Sequence, residues 1–278
     1  MKPSLLFGFL LIGLILSART DAPPPTQRSK PQNTLKLKLR TRVETFKGSG
    51  VWDETLVTQE VPVAEVAIII CDMWDKHWCE GATARCDALA DRMAPVIKAA
   101  RARGIQIIHA PSETMNFYKD TAQRRRLMLA PPVEFPKPLQ VSEPALPIDD
   151  SDGGCDSGQK PWYKAWTRQN AKIDIGDFDG ISDNGEEVYR FLRQQGVKYL
   201  IVMGVHTNMC VLNRSFAIRQ MTRWGIRCML ARDLTDTMYN PRMRPFVSHE
   251  KGTELVVEHI EKYWCPSLLS TDLVAGLP

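Results

Sequence analysis

Residues 199–203 are an unbroken apolar run, Tyr199, Leu200, Ile201, Val202 and Met203, stopped by Gly204. Successive side chains of a strand point to opposite faces, so such a run has no polar face to turn to water. It belongs inside a parallel sheet with helices on both sides. Val66–Cys71 repeats the pattern, apolar at every position. Elsewhere the spacing becomes helical. Leu89, Met93, Val96, Ile97 and Ala100 place one helix over 84–103, with Gly104 as its C-cap. Gly185–Gln195 is a second helix ended by Gly196, 212–224 a third ended by Gly225, and 255–263 a fourth. Strands are expected at 105–109, 197–203 and 226–231. Alternating strands and helices predict an α/β fold of three layers, α/β/α, around a mainly parallel central sheet.

The chain before this core reads differently. Over 34–44, Leu35, Leu37, Leu39, Thr41 and Val43 alternate with mostly charged neighbours, the signature of a half-exposed strand. Residues 46–63 extend it as an antiparallel or edge piece. Lys36, Lys38, Arg40 and Arg42 are then a solvated strand face. The net charge of the 278-residue chain is only +4, and no basic stripe carries interleaved aromatics, which argues against a nucleic-acid partner. Residues 1–22 have the make-up of a cleaved signal peptide: Lys2, an apolar stretch over 5–16 too short for a bilayer, and small residues at Ala18 and Ala22. The expected destination is secreted or periplasmic, with no stable membrane insertion after cleavage. Pro23, Pro24 and Pro25 open a flexible spacer over 23–33. Residues 34–278 then form one domain, with an irregular, proline-containing insertion over 111–158. The acidic turn at 149–154 lacks the spacing and closing Glu of a calcium loop.

Seven cysteines leave at least one thiol unpaired whatever the others do. Cys71 and Cys228 lie in apolar runs and read as buried thiols. Cys79 and Cys86 could pair, a question that spacing does not decide. Cys210 holds the reactive position. It stands between the strand ended by Gly204 and the following helix, near unpaired N–H groups and the positive end of a helix dipole, both of which favour thiolate. Asp72 stands at the equivalent end of Val66–Cys71. Functional groups collect at the carboxyl ends of parallel strands, so Asp72 and Cys210 can meet as base and nucleophile.

The stretch Gly204, Val205, His206, Thr207, Asn208, Met209, Cys210, Val211 resembles the nucleophile motif of the isochorismatase-like cysteine hydrolases, and Asp72 stands where that family has its catalytic Asp. The resemblance spans residues 66–260. It implies a Rossmann-type domain in which Cys210 attacks, Asp72 takes its proton and a Lys completes the centre. Lys172, six residues before Phe178, best matches that Lys, although Gly176 and Asp177 replace the family's Ser-Ala. Arg168 and Lys164 are the alternatives. A cis peptide between Val205 and His206 is also implied, turning the backbone N–H groups of His206 and Cys210 toward one oxyanion. The expected reaction is hydrolysis of the non-peptide C–N bond of a small amide, through a thioester. The alternatives are vinyl-ether hydrolysis of the isochorismatase type and a catalytically silent binding protein on the same fold. Members of the family often form homo-oligomers.

Nicotinamidases of this family hold a divalent metal through an Asp-x-His motif after the second core strand. The corresponding stretch here, from His109 to Met115, lacks it, so neither metal nor other cofactor is expected. Asp75, Lys76 and His77 have the spelling after the first strand, and together with Cys79 are the combination that would suit zinc. Trp74, His77, Trp78, Phe117 and Tyr118 follow strand ends and are expected at the pocket mouth, where they would stack on a flat substrate. Residues 232–240 border the same face.

Overall fold

The computed structural model describes residues 33–275 apart from 143 and 161. The expected signal peptide and nearly all of the spacer lie outside these residues. The strands are β1 (Thr34–Glu44), β2 (Trp52–Pro62), β3 (Val66–Cys71), β4 (Gln106–Ala110), β5 (Gly180–Ile181), β6 (Tyr199–Val205), β7 (Arg227–Asp236) and β8 (Ser267–Leu268). They join one sheet in the order β2-β1-β8-β7-β6-β3-β4-β5. From β8 to β5 every pairing is parallel, while β1 runs antiparallel to both β8 and β2. The two apolar runs that define the sequence are neighbours at the centre. Val66 lies opposite Tyr199 and Cys71 opposite Gly204, so the carboxyl ends of β3 and β6 emerge side by side.

The helices are α1 (Glu80–Ala102), α2 (Met115–Tyr118), α3 (Ala122–Met128), α4 (Gly185–Gln195), α5 (Cys210–Asn213), α6 (Ile218–Arg223), α7 (His249–Tyr263) and α8 (Thr271–Val274). They cover both faces of the sheet, as the unbroken apolar strands require. On one face Ala67 and Ile69 of β3 and Leu200 and Val202 of β6 pack with Val188 and Phe191 of α4, Met221 of α6 and Ile260 of α7. On the other, Ile68 and Ile70, with Ile201 and Met203, pack with Leu89, Met93 and Ile97 of α1 and with Leu35, Leu37 and Leu39 of β1. Each fully buried Leu or Ile contributes roughly 1.5–3 kcal/mol of transfer free energy. Two such cores fix the strand ends, and hence the groups they carry. The three-layer, mainly parallel architecture is the one the sequence predicts.

Several boundaries differ from expectation, each for a local reason. The helix expected over 212–224 is two pieces. Arg214 leaves the helical region, at φ −59° and ψ 149°, and α6 starts only after Ala217. In the gap, Ser215 Oγ accepts a hydrogen bond from Gly185 N at the start of α4. Helix α7 begins before the expected residue 255, because Ser248 caps it by accepting from Lys251 N at 3.2 Å. The insertion carries α2 and α3 and then runs without regular structure. All seven cysteines are free thiols. Cys86 Sγ sits on Met73 Sδ and the Trp74 carbonyl, whereas Cys79 Sγ faces Ser157, so Cys79 and Cys86 do not face each other.

Candidate active site

Strand β3 delivers Asp72 one residue past its end, in the left-handed region at φ 47°. A non-glycine residue there is strained by roughly 1–2 kcal/mol, a cost met mostly at functional positions. The carboxylate is fully buried. Oδ1 accepts from Ser112 N, just beyond β4, at 2.7 Å. Oδ2 accepts from Arg214 Nε, in the gap between α5 and α6, at 3.1 Å. Cys210, at the start of α5, lies close enough to this carboxylate for the negative charge on Asp72 to act on its thiol. Three chain segments thus converge on one carboxylate at the carboxyl ends of β3, β4 and β6.

Burial dominates the protonation of this cluster. It raises Asp72 above the ordinary carboxylate range, with Arg214 pulling in the opposite direction. It raises the Cys210 thiol strongly, reinforced by the negative charge on Asp72 and opposed by Arg214. Burial works against the charge on Arg214, but Asp72 and Cys210 outweigh it and keep the guanidinium firmly protonated. In the resting site the thiol therefore keeps its proton, and Asp72 is a carboxylate of raised proton affinity beside it. The helix dipole expected at Cys210 is weak, because α5 is a single turn.

Beyond β6 the chain passes through a cis peptide between Val205 and His206. The His206 carbonyl accepts from Met209 N at 3.0 Å and Val211 N at 3.1 Å, closing a turn around Cys210. The His206 backbone pulls the Cys210 thiol down, against the larger effect of burial. The chain following β7 holds this turn. Asn208 exchanges two hydrogen bonds with the Met238 backbone, at 2.9 and 3.1 Å, and Thr207 N donates to the Asp236 carbonyl. Thr207 and Thr235 share a hydroxyl contact of 2.8 Å, and Thr235 also donates to the Gly204 carbonyl. The polar stretch expected to border this face is thus its support.

Cys210 and Arg214 line a cavity of about 550 Å³ whose walls include Trp74, Trp78, Trp162, Trp166, His77 and His206. Trp74 and Trp166 stack at 4.1 Å, and Trp74 Nε1 donates to the Ser112 carbonyl. Burial lowers His77 to about 4 and His206 to about 3, so both imidazoles are neutral near pH 7. His206 Nε2 and Trp166 Nε1 are buried without a hydrogen-bond partner among the described residues.

Of the residues expected in the pocket, Trp74, His77 and Trp78 line it. Phe117 is 55% exposed beneath the Arg168 guanidinium, and Tyr118 turns inward to accept from Gln169 N, so neither reaches the cavity. Lys172 is elsewhere. Its ammonium lies on the exposed side of α1, bonded to Asp87 at 2.7 Å and Asp91 at 2.8 Å. Two opposite charges at hydrogen-bond distance hold it there. Lys164 Nζ bonds the Glu113 carbonyl. The cation on Asp72 is Arg214, which the sequence reading passed over. Its signal was its place four residues after Cys210, on the same side of a helical turn. Asp75, His77 and Cys79 do not converge: Asp75 accepts from Thr167 and Arg168, and His77 Nδ1 accepts from Cys79 N. Among the described residues no three His, Cys, Asp or Glu side chains gather as a metal site.

A family model described as the isochorismatase domain matches residues 66–244. The chain is similar to a solved cysteine hydrolase from Pseudomonas syringae pv. phaseolicola 1448A, at 18% identity over 77% of this chain and 92% of that one, with a TM-score of 0.49. It is also similar to an isochorismatase from Pseudomonas putida KT2440, at 15% identity over 75% and 90%, with a TM-score of 0.46. An isochorismatase family protein from Burkholderia thailandensis is 15% identical over 76% and 95%, with a TM-score of 0.44. No curated protein matches the chain.

Proposed function

The chain belongs to the isochorismatase-like cysteine hydrolase family, and on that premise we propose that it hydrolyses the C–N bond of a small amide at Cys210, with Asp72 as the base and Arg214 as the cation. The observation that carries this reading is Cys210 and Arg214 together at one end of a tryptophan-walled cavity, with Arg214 bonded to the buried Asp72 carboxylate. Asp72 takes the thiol proton as Cys210 Sγ attacks the carbonyl carbon, a transfer favoured by the raised proton affinity of the buried carboxylate. Negative charge moves to the carbonyl oxygen, where the backbone N–H groups of His206 and Cys210 receive it. Asp72 returns the proton to the leaving nitrogen as the C–N bond breaks, which leaves a thioester on Cys210. Water, deprotonated by Asp72, then attacks the thioester and frees the acid and the thiol.

Arg214 takes the place this reading first gave to Lys172. A guanidinium does not shuttle protons at neutral pH, but it fixes the carboxylate and offsets the thiolate charge. The neutral imidazoles and the stacked Trp74 and Trp166 favour a flat, uncharged acyl portion. Export through the N-terminal segment is part of the same proposal.

The test is ammonia or amine release from a panel of aromatic amides, N-carbamoyl acids and nicotinamide, with Cys210→Ala alongside. Release that disappears in the variant is the expected result. Release at an unchanged rate would overturn the cysteine mechanism, and no release from any compound would move the weight to vinyl-ether chemistry or to a catalytically silent fold.

A further inference from the structure

Away from the Cys210 thiol, two cysteines far apart in sequence meet beside the cavity. Cys79 is the residue before α1, and Cys155 lies in the loop that crosses over it. Both sulfurs rest on one hydroxyl, Ser157 Oγ, at 3.2 Å from Cys79 and 3.6 Å from Cys155. They are buried in one cluster with Trp74, Trp78, Trp166 and Met238, the side chains behind and along the cavity wall.

The loop that carries Cys155 forms part of that wall through Asp152, Gly153, Gln159 and Lys160. Noncovalent contacts alone hold it in the reduced protein. Asp150 accepts from Asn208 at 2.7 Å, Asp152 from Asn240 at 2.8 Å, and Asp156 from Arg85 at 2.6 Å. Ser157 Oγ accepts from Gly81 N at 2.9 Å. Of the other cysteines only Cys210 packs against the same cluster, and its thiol sits at the Asp72 end of the cavity. Cys86 is turned to Met73 and Trp74, and Cys71, Cys228 and Cys265 belong to a separate core cluster.

We propose that Cys79 and Cys155 form a reversible disulfide, which staples the 150–160 segment to the start of α1 and fixes that wall of the cavity. The oxidant is a small-molecule disulfide of the glutathione type. Cys155 is the first to react, since it keeps some exposure, 8% against 0% for Cys79. Burial raises its thiol, but the neighbouring Cys79 and Ser157 outweigh this and lower it overall, whereas Cys79 is raised by burial. The Cys155 thiolate attacks one sulfur of the oxidant, whose S–S bond breaks and releases one small thiolate. Cys79 then loses its proton to solvent and attacks Cys155 Sγ. The mixed disulfide breaks and the second small thiol leaves. Two protein thiols are oxidised by two electrons, and one small disulfide is reduced to two thiols.

The test needs no substrate. Protein equilibrated in glutathione buffers of graded ratio is acid-quenched, alkylated and digested for mass spectrometry. The expected result under oxidising buffer is a loss of two alkylatable thiols, with the peptide containing Cys79 joined to that containing Cys155. Melting should then occur about 5 °C above the reduced form, since the bond closes a long loop. Amide exchange over 150–160 should slow by at least tenfold. Cys79→Ser should leave Cys155 stopped at the glutathione adduct, and Cys155→Ser should leave Cys79 a thiol. The proposal is overturned if both wild-type cysteines stay alkylatable in fully oxidising buffer or join other partners. A bond that forms without slowing exchange in 150–160 overturns the stapling.

Discussion

Asp72 and Asp179 are both buried carboxylates bonded to an arginine, yet they behave in opposite ways. Asp179 accepts from His109 Nε2 at 2.9 Å, from Arg101 Nη2 at 2.7 Å and Nε at 3.1 Å, and from Gly176 N at 2.7 Å. Burial pushes its carboxyl up, but these donors outweigh it and bring it down to about 2. Asp72 accepts from Ser112 N and Arg214 Nε. There burial wins, and the carboxyl is raised. The number and strength of donors therefore separate a fixed anion from a proton acceptor. Asp179 ties the chain after Gln169 to α1 and β4. Asp72, undersupplied with donors, keeps the affinity for a proton that the proposed chemistry needs.

The comparison can be broken first by neutralising each carboxylate. Asp72→Asn should lower kcat/KM by about a thousandfold, the range of a lost general base, with little change in the urea midpoint. Asp179→Asn should do the reverse, costing about 3 kcal/mol in urea unfolding, since it leaves His109 and Arg101 without their anion, while kcat/KM stays within a few-fold. A swap of these outcomes would reverse the assignment of roles. Next in size is the cation. Arg214→Gln should cost about a hundredfold in kcat/KM and Arg214→Lys less, a difference that reports charge held on Asp72. Lys172→Ala should leave kcat/KM within twofold, and a large loss there would restore Lys172 to the centre.

Acidity sharpens the contrast further. The acid limb of kcat/KM for the free enzyme should lie above the ordinary carboxylate range, because Asp72 must be ionised and its carboxyl is raised. Stability carries the opposite sign at the two sites. The folded-state value of Asp179 lies below its unfolded value near 3.8, so its contribution is present above that value and lost as pH falls toward about 2. Asp72, raised in the folded state, contributes most when protonated and loses this as pH rises through its folded value. Acid unfolding of Asp179→Asn should therefore show a shallower slope between pH 4 and 2 than the wild type.

What could be read from the residues follows from the same physics. The positions of Asp72 and Cys210 were legible because Asp72 directly follows, and Cys210 lies one short turn beyond, a strand that can only be central, and a central parallel strand fixes where its carboxyl end lies. Gly185–Gln195 was legible to the residue, since its cap Asn184 and the left-handed Gly196 are local signals. Arg214 was not, because 212–224 keeps a helical pattern through a break that is held by tertiary bonds, Arg214 to Asp72 and Ser215 to Gly185. Trp162 and Trp166 were missed because they lie on irregular chain, where no periodicity says which way a ring turns. Phe117 was placed by proximity to a strand end, which locates a backbone but not a side chain. Lys172 came from a partial motif, and the acidic side of α1 competes for it.

Gly204 sits at φ 114° where β6 passes β3, and a Cβ there would run into the Cys71 carbonyl oxygen. Cys71 immediately precedes Asp72, and Gly204 leads into the turn that holds Cys210. The spacing between Asp72 and the turn that holds Cys210 thus depends on the absence of one carbon atom. Any side chain at 204 acts as a wedge between the strands, pressing on the backbone that leads into Asp72. The position works as a machining tolerance, and alanine already exceeds it.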